Sequence, residues 1–417
     1  MSYFLSKKKV METHKLLLKN STIWRWILFS FVLAGLTGFL YRLGFAVQLP
    51  FELNLANVRQ AHSHLMFFGW GSLFPLYFIF TTTVPGYHVA LSARLMRLSL
   101  WIILVFSLLS YPSFMLYGYK MARIGRFILP LSAILSACVM VGWYLFIGSY
   151  IRVRSKKHNF KSNIWFEGAL LMLFVSSLGA WGVGVVQMMG FGTEFLEKLL
   201  PHFFLATFTE GWVLLVLLGL IEKMLGIKKS DYIIPPTVLV FLIAVGAAVS
   251  FPFGMPQLLS HPFQSLFARI GGVMIAISVI LFVASIVSSN KAKNTFWIWP
   301  LAFLGLKSVM QLSAVIMPFN AILTDFGARI LYLHVLFLGA YTSSVAIIFA
   351  KNLINTEKFI KPIMYSITAV LISLVLPTWF LPTAVKGIWI YSVLAIVAIG
   401  PVLSISVLWF KVNERLI

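Results

Sequence analysis

The stretch RQAHSHLMFFGWG, residues 59–71, sets two histidines and an arginine at the head of a run that otherwise has membrane composition. Ionisable side chains are costly inside a bilayer and are functional candidates wherever they occur there. Residues two apart on an α-helix lie about 200° apart around its axis. His62 and His64 are therefore expected on opposite flanks of one helix, where they cannot chelate a single ion together. One helix serving two cofactors, one on each side, is the simplest chemical use of that spacing.

The rest of the chain has the same character. Of 417 residues, 60% are hydrophobic and 11% charged, with a mean hydropathy of +0.95. That composition implies a polytopic membrane protein. Twelve apolar segments are long enough to cross as helices: roughly 24–46, 61–83, 95–117, 127–150, 164–189, 200–225, 233–253, 265–289, 296–318, 328–350, 363–384 and 388–410. The expected fold is all-α: a basic cytoplasmic segment (1–23), one twelve-span domain (24–412) and a short cytoplasmic tail (413–417). The first segment has no small-residue cleavage site and is read as retained. A single cysteine, Cys138, excludes disulfides and thiolate metal clusters.

A net charge of +22 raises the question of nucleic acid, but its placement answers against it. About 23 of the 33 Lys and Arg collect at alternate span ends, in segments such as RVRSKKHNFK (152–161) and KNLINTEKFIK (351–361). By the positive-inside rule that side is cytoplasmic, so both termini lie inside a bacterial-type inner membrane. YKMARIGR (119–126) is the exception, three positive charges on the outer side. The charge orients the chain and attracts anionic lipid.

This topology orders the histidines. His62 and His64 open span two, His202 opens span six, His261 follows span seven, and His334 lies two turns into span ten. All five are expected at one level of the outer leaflet, as a haem or metal site. His14, His88 and His158 belong to basic cytoplasmic segments.

Spans two, six and ten also resemble one another. Span two reads HLMFFGW from His64, span ten reads HVLFLGAY from His334, and span six reads ATFTEGW from Ala206. The shared glycines, Gly69, Gly211 and Gly339, lie about a third of the chain apart, which suggests three units of four helices. Glycine at that depth allows close approach of a flat ligand or of another backbone.

Twelve spans, a pattern in thirds and outer-leaflet histidines on spans two, six, seven and ten resemble subunit I of the haem-copper oxidases. The start of span two also resembles the NnrS family of haem and copper membrane proteins. The resemblance implies one or two haems, held by His62, His64 and His334. His202 and His261 would complete a second haem or a copper site, and Arg59 and Arg329 would meet propionates. It also implies oxidoreductase chemistry on nitric oxide or dioxygen, a small gas ligand, and electrons from a partner subunit, a cytochrome or a quinol. Glu210 and Lys307 would carry protons, although pairing of Lys307 with a buried acid such as Glu210 is the simpler expectation for a lysine in hydrocarbon.

The chain departs from the oxidase pattern. His261 stands alone where oxidases have adjacent histidines, Ala206 replaces a tyrosine, and Glu210 follows His202 by eight residues. Two other readings therefore stay open. One is a haem or copper sensor or assembly protein without turnover; the other is a secondary transporter, against which the pattern in thirds speaks.

Overall fold

The computed structural model describes residues 21–49, 53–83, 91–156, 163–189, 193–255, 262–293, 295–317, 325–350 and 357–414. His14, His88, His158 and His261 lie outside them, as does most of the basic segment 1–23. Among the described residues the architecture is all-α apart from one short hairpin, as the composition requires. In chain order the helices are α1 (Ser21–Leu43), α2 (Leu55–Thr83), α3 (Leu91–Tyr117), α4 (Leu131–Lys156), α5 (Ile164–Met189), α6 (Glu194–Leu225), α7 (Pro236–Val249), α8 (Pro262–Ser288), α9 (Ile298–Ile316), α10 (Phe326–Phe349), α11 (Ile360–Ser373) and α12 (Ile388–Glu414).

Ten of these are long and apolar enough to cross a membrane, which makes the chain a multi-pass membrane protein. The other two, α7 and α11, have 14 residues each. At 1.5 Å per residue they span about 21 Å, short of a hydrocarbon core of about 30 Å. Proline accounts for both lengths. Pro252 enters just after α7 and turns the chain into a 3₁₀ segment, Phe251–Gly254. Pro377 and Pro382 follow α11, and neither can donate to a continuing helix.

A second departure from the sequence reading lies between α3 and α4. Residues 127–130 were expected to begin the fourth span. They belong instead to a hairpin of β1 (Ala122–Ile124) and β2 (Phe127–Leu129), paired antiparallel with Arg123 opposite Ile128. Gly125, at φ +61°, makes its turn, and Pro130 biases the residue before it away from helix. The helix starts one residue later.

The chain forms two compact units. One comprises Met1–Lys161, Ala346–Ser366 and Tyr391–Ile417, the other Ser162–Val345 and Ile367–Ile390. His62 and His64 belong to the first; His202, Glu210, Lys307 and most of α10, with His334, belong to the second.

Burial separates three helices from the rest. In α2, α6 and α10, 78%, 83% and 78% of the apolar window is buried, against 33–50% in the other long helices. A helix apolar on all sides and covered on all sides belongs to an interior. The same three carry polar N-caps, Asn54, Thr193 and Asp325, each accepting from backbone N–H groups of the first turn. Each also contains a π-helical segment: Leu65–Trp70 in α2, Thr207–Val213 in α6 and Val335–Thr342 in α10. Such segments open the backbone ladder by one residue and recur at functional sites.

Candidate functional site

The three π segments align on their glycines. Gly69, Gly211 and Gly339 each occupy the fifth position of their segment. What they admit is packing by side chains of the preceding helix. A Cβ on Gly69 would lie 3.0 Å from Ser30 of α1, on Gly211 2.6 Å from Met172 of α5, and on Gly339 2.9 Å from the Phe303 ring of α9. The expected close approach of another backbone is not what these positions show: the neighbours are side chains. In each case the buried helix leans on the helix just before it.

The histidines take their places from this frame. His64 and His334 are the last residues before their π segments. His202, His334 and His64 stand nine, nine and ten residues after their N-caps, which is about 14 Å along each helix. His64 Nδ1 bonds the Gln60 carbonyl at 2.8 Å, and His334 Nδ1 bonds the Ile330 carbonyl at 2.8 Å, each four residues back. A carbonyl oxygen can only accept, so Nδ1 carries the proton in both rings and Nε2 carries the lone pair. That is the form in which imidazole ligates a metal, with the hydrogen bond that orients the ring already made.

His62 and His64 do face different neighbours, as their spacing requires. His62 Nδ1 donates to the Ala34 carbonyl of α1 at 2.7 Å, and its ring lies over Gly38, where a Cβ would come within 3.0 Å of Cε1. His64 turns toward α3. Its ring stacks on Phe114 with centroids 3.7 Å apart, and Tyr119, just beyond that helix, donates to its Nε2 at 3.0 Å.

The other expected residues form a buried polar group in the second unit. Lys307 of α9 and Glu210, inside the π segment of α6, make an ion pair with side chains 0% and 6% exposed. Lys307 Nζ also donates to Gln311 Oε1 at 2.8 Å. Tyr332 of α10 donates to Glu210 Oε1 at 2.8 Å, and its ring lies 5.3 Å from the ammonium. Lys307 is thus paired with the acid that the simpler expectation named. Every charge is matched, which is the condition for keeping it in a low-dielectric interior. Tyr332 had no part in the sequence reading, yet a signal existed. It stands two residues before His334, in the register place that His62 holds before His64.

Of the arginines, Arg59 is exposed at the start of α2. Arg329 is half-buried on α10, its guanidinium 5.8 Å from the Phe326 ring. Arg269 of α8 donates to the Val315 and Met317 carbonyls and so caps the end of α9. Among the described residues no three His, Cys, Asp or Glu side chains converge in a metal-binding group. Trp70 and Trp212 are fully buried among side chains, whereas Trp181 is exposed.

One further acid has a structural place that the sequence alone does not indicate. Glu222, near the end of α6, accepts from Asn163 Nδ2 at 3.0 Å, Trp165 Nε1 at 2.8 Å and Tyr232 Oη at 2.5 Å. It fastens α6 to the start of α5 and to the loop before α7. No protein-family model matches the chain, and no curated protein does.

Proposed function

We propose that the chain is an integral-membrane haem protein resembling subunit I of the haem-copper oxidases. In this reading it handles nitric oxide or dioxygen at a haem or haem-copper centre in the outer leaflet. The observation that supports it most directly is the common frame of His64 and His334. Both are buried-helix histidines at the mouth of a π segment, with Nδ1 tied four residues back, which puts the ring's lone pair on Nε2. The donor set fits iron: neutral imidazoles with oriented rings are the protein's usual offering to haem. The α1–α2, α5–α6 and α9–α10 contacts at equivalent glycines favour three repeats of four helices, with α7 and α11 as the short members of the twelve, and the alternation of basic segments favours cytoplasmic termini.

In this reading His62, His64 and His334 are each haem ligands, Arg59 and Arg329 are propionate partners, and His202 and His261 are ligands of the second haem or of copper. Bound haem supplies electron transfer and a coordination place for the gas. Glu210, Lys307, Gln311 and Tyr332 hold a proton in a hydrogen-bonded group shielded from lipid. Electrons come from a partner subunit, a cytochrome or a quinol.

A second reading, a haem or copper sensor or assembly protein, is favoured by the closed pairing of Glu210 with Lys307, which suits structure better than turnover. An absorption spectrum with metal analysis of the purified chain separates the two. Two haems, or a haem with copper, support the enzyme, and one low-spin haem supports the sensor. A preparation supplied with haem and copper that shows no Soret band and retains no copper overturns both.

A further inference from the structure

We propose that Tyr119 competes with haem iron for His64 and so sets the affinity of that ligand, an inference that rests on the reading of His64 as a haem ligand. Nε2 of a neutral imidazole has one lone pair. It can accept the Tyr119 hydroxyl, as it does at 3.0 Å, or bind a metal, but not both.

The contact is built by several residues. Asn57 of α2 donates through Nδ2 to the Leu116 carbonyl at 3.3 Å and to the Met115 carbonyl at 3.5 Å, holding the end of α3 against α2. Gly118, at φ +59°, then turns the chain back. A Cβ there would come within 2.4 Å of Asn57 Oδ1 and 2.8 Å of Gln60 Oε1, so only glycine lets the chain pass. Tyr119 follows at once, with its ring 5.2 Å from that of Phe114, on which His64 stacks.

The segment after Tyr119 can carry the movement that ligation requires. It is the short hairpin β1–β2, with Ile124, Phe127 and Ile128 48–70% exposed and Lys120, Arg123 and Arg126 exposed beside them. Ala122 is buried, and the rest of the hairpin projects from the unit. Ligation of His64 is thereby coupled to the position of this basic, apolar hairpin.

The test is titration of the purified full-length protein with hemin, followed by the Soret band, in wild type and in Tyr119→Phe, Gly118→Ala, His64→Ala and Tyr119→Phe/His64→Ala variants. Losing one hydrogen-bonded competitor should tighten hemin binding about twofold to twelvefold in Tyr119→Phe, since such a bond is worth about 0.5–1.5 kcal/mol net. Gly118→Ala should act in the same direction by displacing the tyrosine, and it serves if Tyr119→Phe does not fold. The double variant should bind no better than His64→Ala. Unchanged or weaker binding by both single loop variants, with His64→Ala weakened, overturns the competition but keeps His64 as ligand. Wild-type binding by His64→Ala overturns both.

Discussion

Tyr332 donates a 2.8 Å hydrogen bond to Glu210, a residue 122 positions earlier in the chain, and the same carboxylate carries the ion pair to Lys307. Three helices, α6, α9 and α10, are thereby joined through one acid in the interior of the second unit. Removing either partner of such a pair leaves an uncompensated buried charge. Lys307→Met and Glu210→Met should each destabilise by about 3–5 kcal/mol, while the double variant recovers most of the loss. Tyr332→Phe should cost less, about 1.5–3 kcal/mol. Thermal unfolding in a single detergent measures all four, and a Lys307→Met variant as stable as wild type would show that the pair is not structural.

Gly339 and Gly148 make opposite predictions for the same substitution. A Cβ on Gly339 meets the Phe303 ring at 2.9 Å and Leu371 at 3.2 Å, whereas one on Gly148 meets nothing within 4 Å. Gly339→Ala should lose about 1–3 kcal/mol through overpacking between α9 and α10. Gly148→Ala, on the exposed side of α4, should be neutral or gain up to about 1 kcal/mol of helix propensity. Paired melting curves decide it, and equal midpoints would refute the packing argument.

Glu222 should behave as a latch. Glu222→Ala leaves the Trp165 N–H, the Asn163 amide and the Tyr232 hydroxyl without their common acceptor, at a cost of about 1.5–3 kcal/mol for each bond to the charged group that is not replaced by water. Glu222→Gln keeps one acceptor oxygen and should lose less. Hydrogen exchange at the start of α5 and in the loop before α7 should rise in both variants, further in the alanine one.

Asp231 gives a pH dependence. Its side chain takes a hydrogen bond from Lys291 and another from the Lys228 backbone, and these hold its carboxyl below the usual aspartate range. A depressed folded pKa means that the stabilisation is complete above the unfolded value, about 3.9, and is lost as pH falls through the lower folded value. The junction between the loop after α6 and the loop after α8 should therefore open only in acid, below about pH 4. Acid-stable protease cleavage within 226–232 should appear there in wild type, and at all pH values in Asp231→Asn. Cleavage of wild type that is independent of pH would count against the linkage.

Separate replacement of His62 and His64 tests the opposite flanks. His62 is tied to Ala34 and seated on Gly38, so His62→Ala should loosen α1 from α2, while His64→Ala should leave that contact intact. Cysteine crosslinking between α1 and α2 reads the difference. Equal loosening in both variants would refute it.

Much of this was legible in residue order. Composition marked a multi-pass membrane protein, and the spacing of His62 and His64 placed them against different neighbours. The recurrence of Gly69, Gly211 and Gly339 picked out the three helices that turn out to be most buried. These are properties of hydropathy and of helical period, which are local. The π segments were not legible, because a helix widens by one residue only when its surroundings take up the strain. Tertiary structure alone decided what each polar group touches: that Lys307 finds Glu210, that Tyr332 stands in the register place of a histidine and bonds that same acid, and that Tyr119 reaches back to His64. A buried donor or acceptor must be satisfied, but which distant residue satisfies it depends on how the helices are packed, and no spacing along the chain records that.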